Sequence, residues 1–139
     1  MADVAQLRVT RAAQIRKQPQ DQQQWLVESL WGAGAVGIIG GAPKTCKTWL
    51  ALEIAVAVAS GLPCLGRFRV PCPGPVLLFT AEDPPHQVRR RIESLTLARN
   101  ADFPSLDVRL IVETSLRLDR TQDLLRLHLP LANHQPKLL

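Results

Sequence analysis

The chain has 139 residues, 46% hydrophobic and 4% aromatic, with 17 basic and 12 acidic side chains and a formal charge of +5. That suffices for one small domain with a core and is too little for two. The longest apolar run, Trp49 to Ala59, is interrupted by Glu53 and too short to span a bilayer, and the N-terminal segment lacks a signal peptide's apolar core. The expectation is a soluble, cytoplasmic protein with no membrane partner.

Residues 1–24 are polar and rich in glutamine (Gln18, Gln20, Gln22, Gln23, Gln24), and they read as a flexible N-terminal arm. Trp25, Leu26 and Val27 begin the ordered domain, 25–139. Ala35–Ile39 is apolar on both faces, as in a central parallel strand. A helix is predicted from Lys47 to about Ser60, apolar nearly all round and so buried, with Gly61 as its stop and Pro63 beyond. Phe68–Val70 reads as a short edge strand, and P-C-P-G-P at 71–75 as a turn.

Val76–Thr80 is a second buried strand. Pro84 or Pro85 opens a helix running to about Arg99, with Asp83 near its N-cap and Val88, Ile92 and Leu95 on its apolar side. Val108–Val112 is a third strand. Thr121 or Asp123 starts a last helix that Pro130 should kink or end, and Lys137–Leu139 reads as the start of a fourth strand. Strands alternating with helices indicate an α/β fold, a parallel sheet with flanking helices.

The segment between the first strand and the first helix carries the chemistry. Residues 41–48 read G-A-P-K-T-C-K-T, close to the phosphate-loop pattern G-x-x-x-x-G-K-[ST]. Such a loop aims successive backbone N–H groups, and the positive end of a helix, at one point. Gly41, Ala42, Pro43, Lys44, Thr45, Cys46, Lys47 and Thr48 are the candidate nucleotide-binding residues. Gly41 would let the chain leave the strand at an angle closed to residues with a Cβ. Lys47 would reach the β- and γ-phosphates, and the Thr48 hydroxyl would hold Mg2+. Cys46 stands where the second glycine belongs. Its thiol, at a helix N-terminus beside a lysine, is either a readily ionised, reactive group that nucleotide would shield, or an inert small residue.

A-E-D-P-P at 81–85 is the second chemical feature. Ligands of open α/β sheets bind beyond the carboxyl ends of the strands, where Glu82 and Asp83 fall. A carboxylate there can orient or deprotonate an attacking water. Position alone equally allows Asp83 to cap the helix and Glu82 to complement its dipole. Arg89, Arg90 and Arg91 would point to different faces of that helix and read mainly as solvated surface, with DNA contact the lesser option. Cys46, Cys64 and Cys72 lack metal-finger spacing and suit a reducing compartment. His86, His128 and His134 form no metal-binding pattern.

From about Trp25 onward the chain resembles the RecA-like P-loop ATPases, and among them the hexameric plasmid replicative helicases of the RepA type, an AAA-family group. The likeness lies in W-L-V-E-S-L-W, G-A-P-K-T-C-K-T, W-L-A-L-E-I-A-V-A-V-A-S-G and V-L-L-F-T-A-E-D-P-P. It implies ATP and Mg2+ as ligands, Glu82 as the catalytic carboxylate, and hydrolysis, DNA and a homo-hexamer as features of full-length relatives. The family pattern continues into a strand ending in a Walker B aspartate, whereas this sequence reaches Q-P-K-L-L at that point. The resemblance thus implies the N-terminal half of a RecA-like ATPase domain, truncated before the Walker B strand, with a raw sheet edge and marginal stability. The alternatives to an ATPase are a non-hydrolysing nucleotide-binding module and a non-functional fragment.

Overall fold

The longest apolar stretch folds as a helix with neighbours on two sides. In a computed structural model describing residues 9–16, 24–113 and 115–139, Lys47–Ser60 forms α1, and every residue from Leu52 to Val58 is buried. Ile54, Ala55, Ala57 and Val58 pack with Leu26, Val27, Cys64, Val70 and Val76. Leu52 and Val56 meet Val88 and Ile92. A helix covered on two sides needs no polar stripe, which is why its sequence shows little amphipathicity. It ends at Gly61, whose φ of +73° is the left-handed cap predicted there and whose N–H donates to the Ala57 carbonyl.

Trp25–Val27 (β1) and Trp31–Gly32 (β2) form an antiparallel hairpin. It is held by burial, since Leu26 and Val27 enter the α1 core. Val76–Phe79 (β3) and Val108–Ile111 (β4) pair in parallel, Val76 opposite Val108 and Phe79 opposite Ile111. Pro85–Ala98 (α2) connects them, giving a β-α-β unit. At β3's other edge Leu138 bridges Val76 in parallel. Leu77 N–H donates to the Leu138 carbonyl and Lys137 N–H to that of Pro75. The pairing expected of Lys137–Leu139 is therefore present as one bridge.

Ala35–Ile39 is a correction. It forms no strand, and Val36 and Ile38 are 100% and 94% exposed. A strand needs a ladder on at least one edge. The edge of β3 is taken by Leu138, and a cavity of about 300 Å³ is lined by Gly37 and Ile39 from one side and by Leu78, Leu138 and Leu139 from the other. The segment rests on Trp31 instead. The Trp31 indole N–H donates to the Ala35 carbonyl at 3.3 Å, and its ring packs so closely on Gly37 that a Cβ there would lie 2.5 Å from it.

Phe68–Val70 likewise forms no strand. Phe68 makes a single antiparallel bridge to Cys64, and the Arg69 carbonyl accepts from Glu28 N–H at 2.8 Å. The last helix, Thr121–His134 (α3), runs through Pro130 instead of ending there. Its only buried residue is Leu127, so the proline, which leaves one helix carbonyl without a donor, sits in a largely exposed helix. Arg109 of β4 pairs with Asp107 at 2.6 Å and contacts His134, while Arg126 of α3 reaches Glu113 at 3.2 Å.

Glu53, which interrupts the apolar run, is 8% exposed. Its carboxylate accepts the Leu65 N–H at 2.6 Å and pairs with Arg99, just beyond α2. Arg99 also donates to the Pro63 carbonyl at 3.0 Å. Burial lowers the Arg99 pKa from its ordinary value. The pair ties α1, α2 and the 62–66 turn together. Of the arm expected over 1–24, residues 1–8 and 17–23 lie outside the described residues, and Ala12–Gln14 is a short 3-10 turn.

Candidate functional site

The 41–48 loop is closed on itself through its lysine. Lys47 Nζ donates to the Gly41 carbonyl at 2.9 Å and to the Ala42 carbonyl at 2.6 Å. The Thr45 hydroxyl donates to the Ala42 carbonyl at 2.7 Å. The strained positions are Lys44, at φ +63°, and Cys46, at φ +60° and ψ 22°. Position 46 is where the loop pattern asks for glycine, and the left-handed backbone supplies the reason. Gly41 is a correction, because its φ is not positive. A Cβ at Gly41 would instead stand 3.1 Å from Thr45 Oγ1 and 3.7 Å from Lys47 Cδ, so close approach makes glycine fit there.

Cys46 is the N-cap of α1. Its thiol makes no capping bond, and it is exposed. Cys72 is also exposed and Cys64 is buried, all three with free thiols. Among the described residues no group of three His, Cys, Asp or Glu side chains converges as a metal site.

Two segments, the nearest members of which (Thr48 and Thr80) are 32 residues apart in sequence, share one cleft of about 410 Å³. Lys47 and Thr48 line it from the first turn of α1, and Thr80, Ala81, Glu82 and Asp83 line it from the end of β3. A helix N-terminus and a strand's carboxyl end meet there, the usual place for a ligand in an α/β sheet. A family model for the AAA domain matches residues 2–135. The chain belongs to the AAA domain family. No curated protein and no solved structure matches it. An AAA domain is a P-loop ATPase module; nucleotide binding, usually with Mg2+, and ATPase activity are traits of the family, and the α/β architecture is compatible with that fold.

Within this AAA domain the two carboxylates of the cleft differ. Asp83 Oδ2 lies 2.5 Å from Arg91 Nη1, and the two side chains are only 25% and 24% exposed. The N-cap of α2 is Pro84, with no side-chain cap bond, so Asp83 does not have the capping role that its position allowed. Glu82 is exposed on the cleft and joins no ion pair among the described residues.

The arginine run divides as its spacing requires. Arg90 is exposed, and so is Arg89, which lies 3.9 Å from Glu93 and 5.3 Å over the Phe103 ring. Arg91 turns inward, correcting the reading of all three as solvated surface. Its guanidinium also lies 5.7 Å over the Trp49 ring. From sequence, Trp49 carried no functional reading, and Arg91 only the lesser option of DNA contact. The available signal was spacing: Arg91 follows Val88 by three positions, one helical turn along the buried side of α2. No helix among the described residues is long and apolar enough to cross a membrane.

Proposed function

We propose that this AAA domain binds the triphosphate of ATP at the N-terminus of α1. Gly41, Ala42, Lys44, Thr45 and Cys46 would supply backbone N–H groups, Pro43 having none to give, and Lys47 would exchange the carbonyls of Gly41 and Ala42 for the β- and γ-phosphates. The observation that carries this reading is the single cleft lined by Lys47, Thr48 and Glu82. The Thr48 hydroxyl is a hard oxygen donor of the kind Mg2+ takes beside phosphates and water, and Mg2+ would serve there to neutralise phosphate charge. Glu82, the carboxylate of the cleft without an ion-pair partner among the described residues, would orient the attacking water.

The finer reading is a RecA-like module of the replicative helicase type, with DNA as the macromolecular partner and a homo-hexamer as the working assembly. It is supported by the A-E-D-P-P segment following β3 and by the loop preceding α1.

Calorimetric titration of the chain with Mg-ATP, beside Lys47→Ala, tests the proposal. Saturable binding that the variant loses is the expected result. Equal heats from both proteins, or none from folded wild type, would refute it.

A further inference from the structure

We infer that Arg91 is a positioning residue that sets Glu82 relative to the nucleotide loop; this rests on the reading of the cleft just given. Arg91 touches the immediate neighbours of the two groups that have to cooperate. Its guanidinium holds Asp83, the residue after Glu82, at 2.5 Å, and it lies 5.7 Å over the ring of Trp49, the residue after Thr48. The Thr80 hydroxyl donates to the Asp83 carbonyl at 3.3 Å, a second tie on the same turn. One side chain on α2 thus spans the first turn of α1 and the turn that follows β3.

The physical argument is one of freedom removed. Glu82 lies on an exposed bend after β3, outside any helix or strand, and the Arg91 clamp and the Thr80 bond both fasten the residue that follows it. An ion pair that is three-quarters buried is less screened than a surface pair, and a guanidinium over an aromatic face has a preferred plane. The guanidinium bonds Asp83 and lies over Trp49, the neighbours of Glu82 and Thr48, so its effect on Glu82 is exerted through the turn. A lysine could keep the charge near Asp83 but not the flat contact with Trp49.

The test uses the full chain with Arg91→Met, Arg91→Lys and Lys47→Ala, reading Mg-ATP affinity by calorimetry and turnover by phosphate release. Arg91→Met is expected to lower kcat by about 10- to 100-fold, the cost of a misplaced group of this kind. KM and Kd for Mg-ATP should stay within about twofold, and Arg91→Lys should recover part of the loss. Asp83→Asn breaks the same pair from its other end and should reproduce the kcat-selective loss, which carries the test if Arg91→Met does not fold. An unchanged kcat in Arg91→Met and Asp83→Asn, a loss of affinity matching the loss of kcat, or a wild-type chain that binds Mg-ATP without turnover would each overturn the inference. A wild-type chain without Mg-ATP binding, or a Lys47→Ala variant that binds normally, would instead remove the nucleotide reading, and this inference with it.

Discussion

The ammonium of Lys47 lies 2.9 Å from the carbonyl oxygen of Gly41, six residues earlier in the chain. The same ammonium reaches the Ala42 carbonyl at 2.6 Å, so the lysine of the loop ties the loop to itself. Any anion bound there competes with these two exposed carbonyls, whose release to water costs little.

Binding and turnover should separate in Glu82→Gln. The side chain is exposed and outside the core, so stability should change by no more than about 0.5 kcal/mol. Mg-ATP affinity should stay close to wild type while phosphate release falls by about 100-fold or more. Unaltered turnover in this variant would transfer the water-orienting role away from Glu82.

Cys46→Gly should stabilise the fold. The φ of +60° at this position costs a residue with a Cβ roughly 1–2 kcal/mol that glycine avoids. Glycine's extra freedom in the unfolded chain offsets part of it, leaving a gain of about 0.5–1 kcal/mol. A rise of about 2–4 °C in Tm is the corresponding signal. A lower Tm would mean that the thiol makes a stabilising contact that outweighs the strain.

Glu53→Ala should be among the most damaging single changes. It leaves the guanidinium of Arg99, 12% exposed in its side chain, without its carboxylate, and the Leu65 N–H without an acceptor. Breaking such a pair costs about 3–5 kcal/mol. The double variant Glu53→Met with Arg99→Met should lose less than Glu53→Ala alone, because no buried charge is stranded. Urea unfolding of the three proteins checks the order, and a double variant weaker than the single one would contradict it.

The three thiols should divide into two fast and one slow toward iodoacetamide. Cys46 and Cys72 are exposed, whereas Cys64 is buried and burial raises its pKa above the ordinary thiol value. A raised folded-state pKa makes a contribution that is fully present below the unfolded thiol's pKa and is lost as pH rises through the folded value. The chain should therefore lose stability in the alkaline range above the ordinary thiol pKa, and less so as Cys64→Ala. Peptide mapping after timed alkylation, with and without Mg-ATP, also tests whether nucleotide shields Cys46. Equal Cys46 rates in the two conditions would exclude shielding.

Much of this protein was determined by the sequence itself, because the information is local. The glycine at 61 ends α1 through a bond to Ala57, four residues away, and the 3.6-residue spacing of Val88 and Ile92 places one face of α2 in the core. The β3–α2–β4 alternation and the loop before α1 are legible for the same reason. The tertiary structure alone decided what depends on distant partners. Val36 and Ile38 have a strand's composition, but hydrogen-bonding neighbours make a strand, and among the described residues none stands beside them. Glu53 finds Arg99 46 residues away, and Arg91 reaches across to Trp49 from another helix. The difference in surroundings between Glu82 and Asp83 is of the same kind. Adjacent in sequence, they became different groups when Arg91 folded against one of them, because the energy of a charge depends on what lies within a few ångströms of it, whatever the distance along the chain.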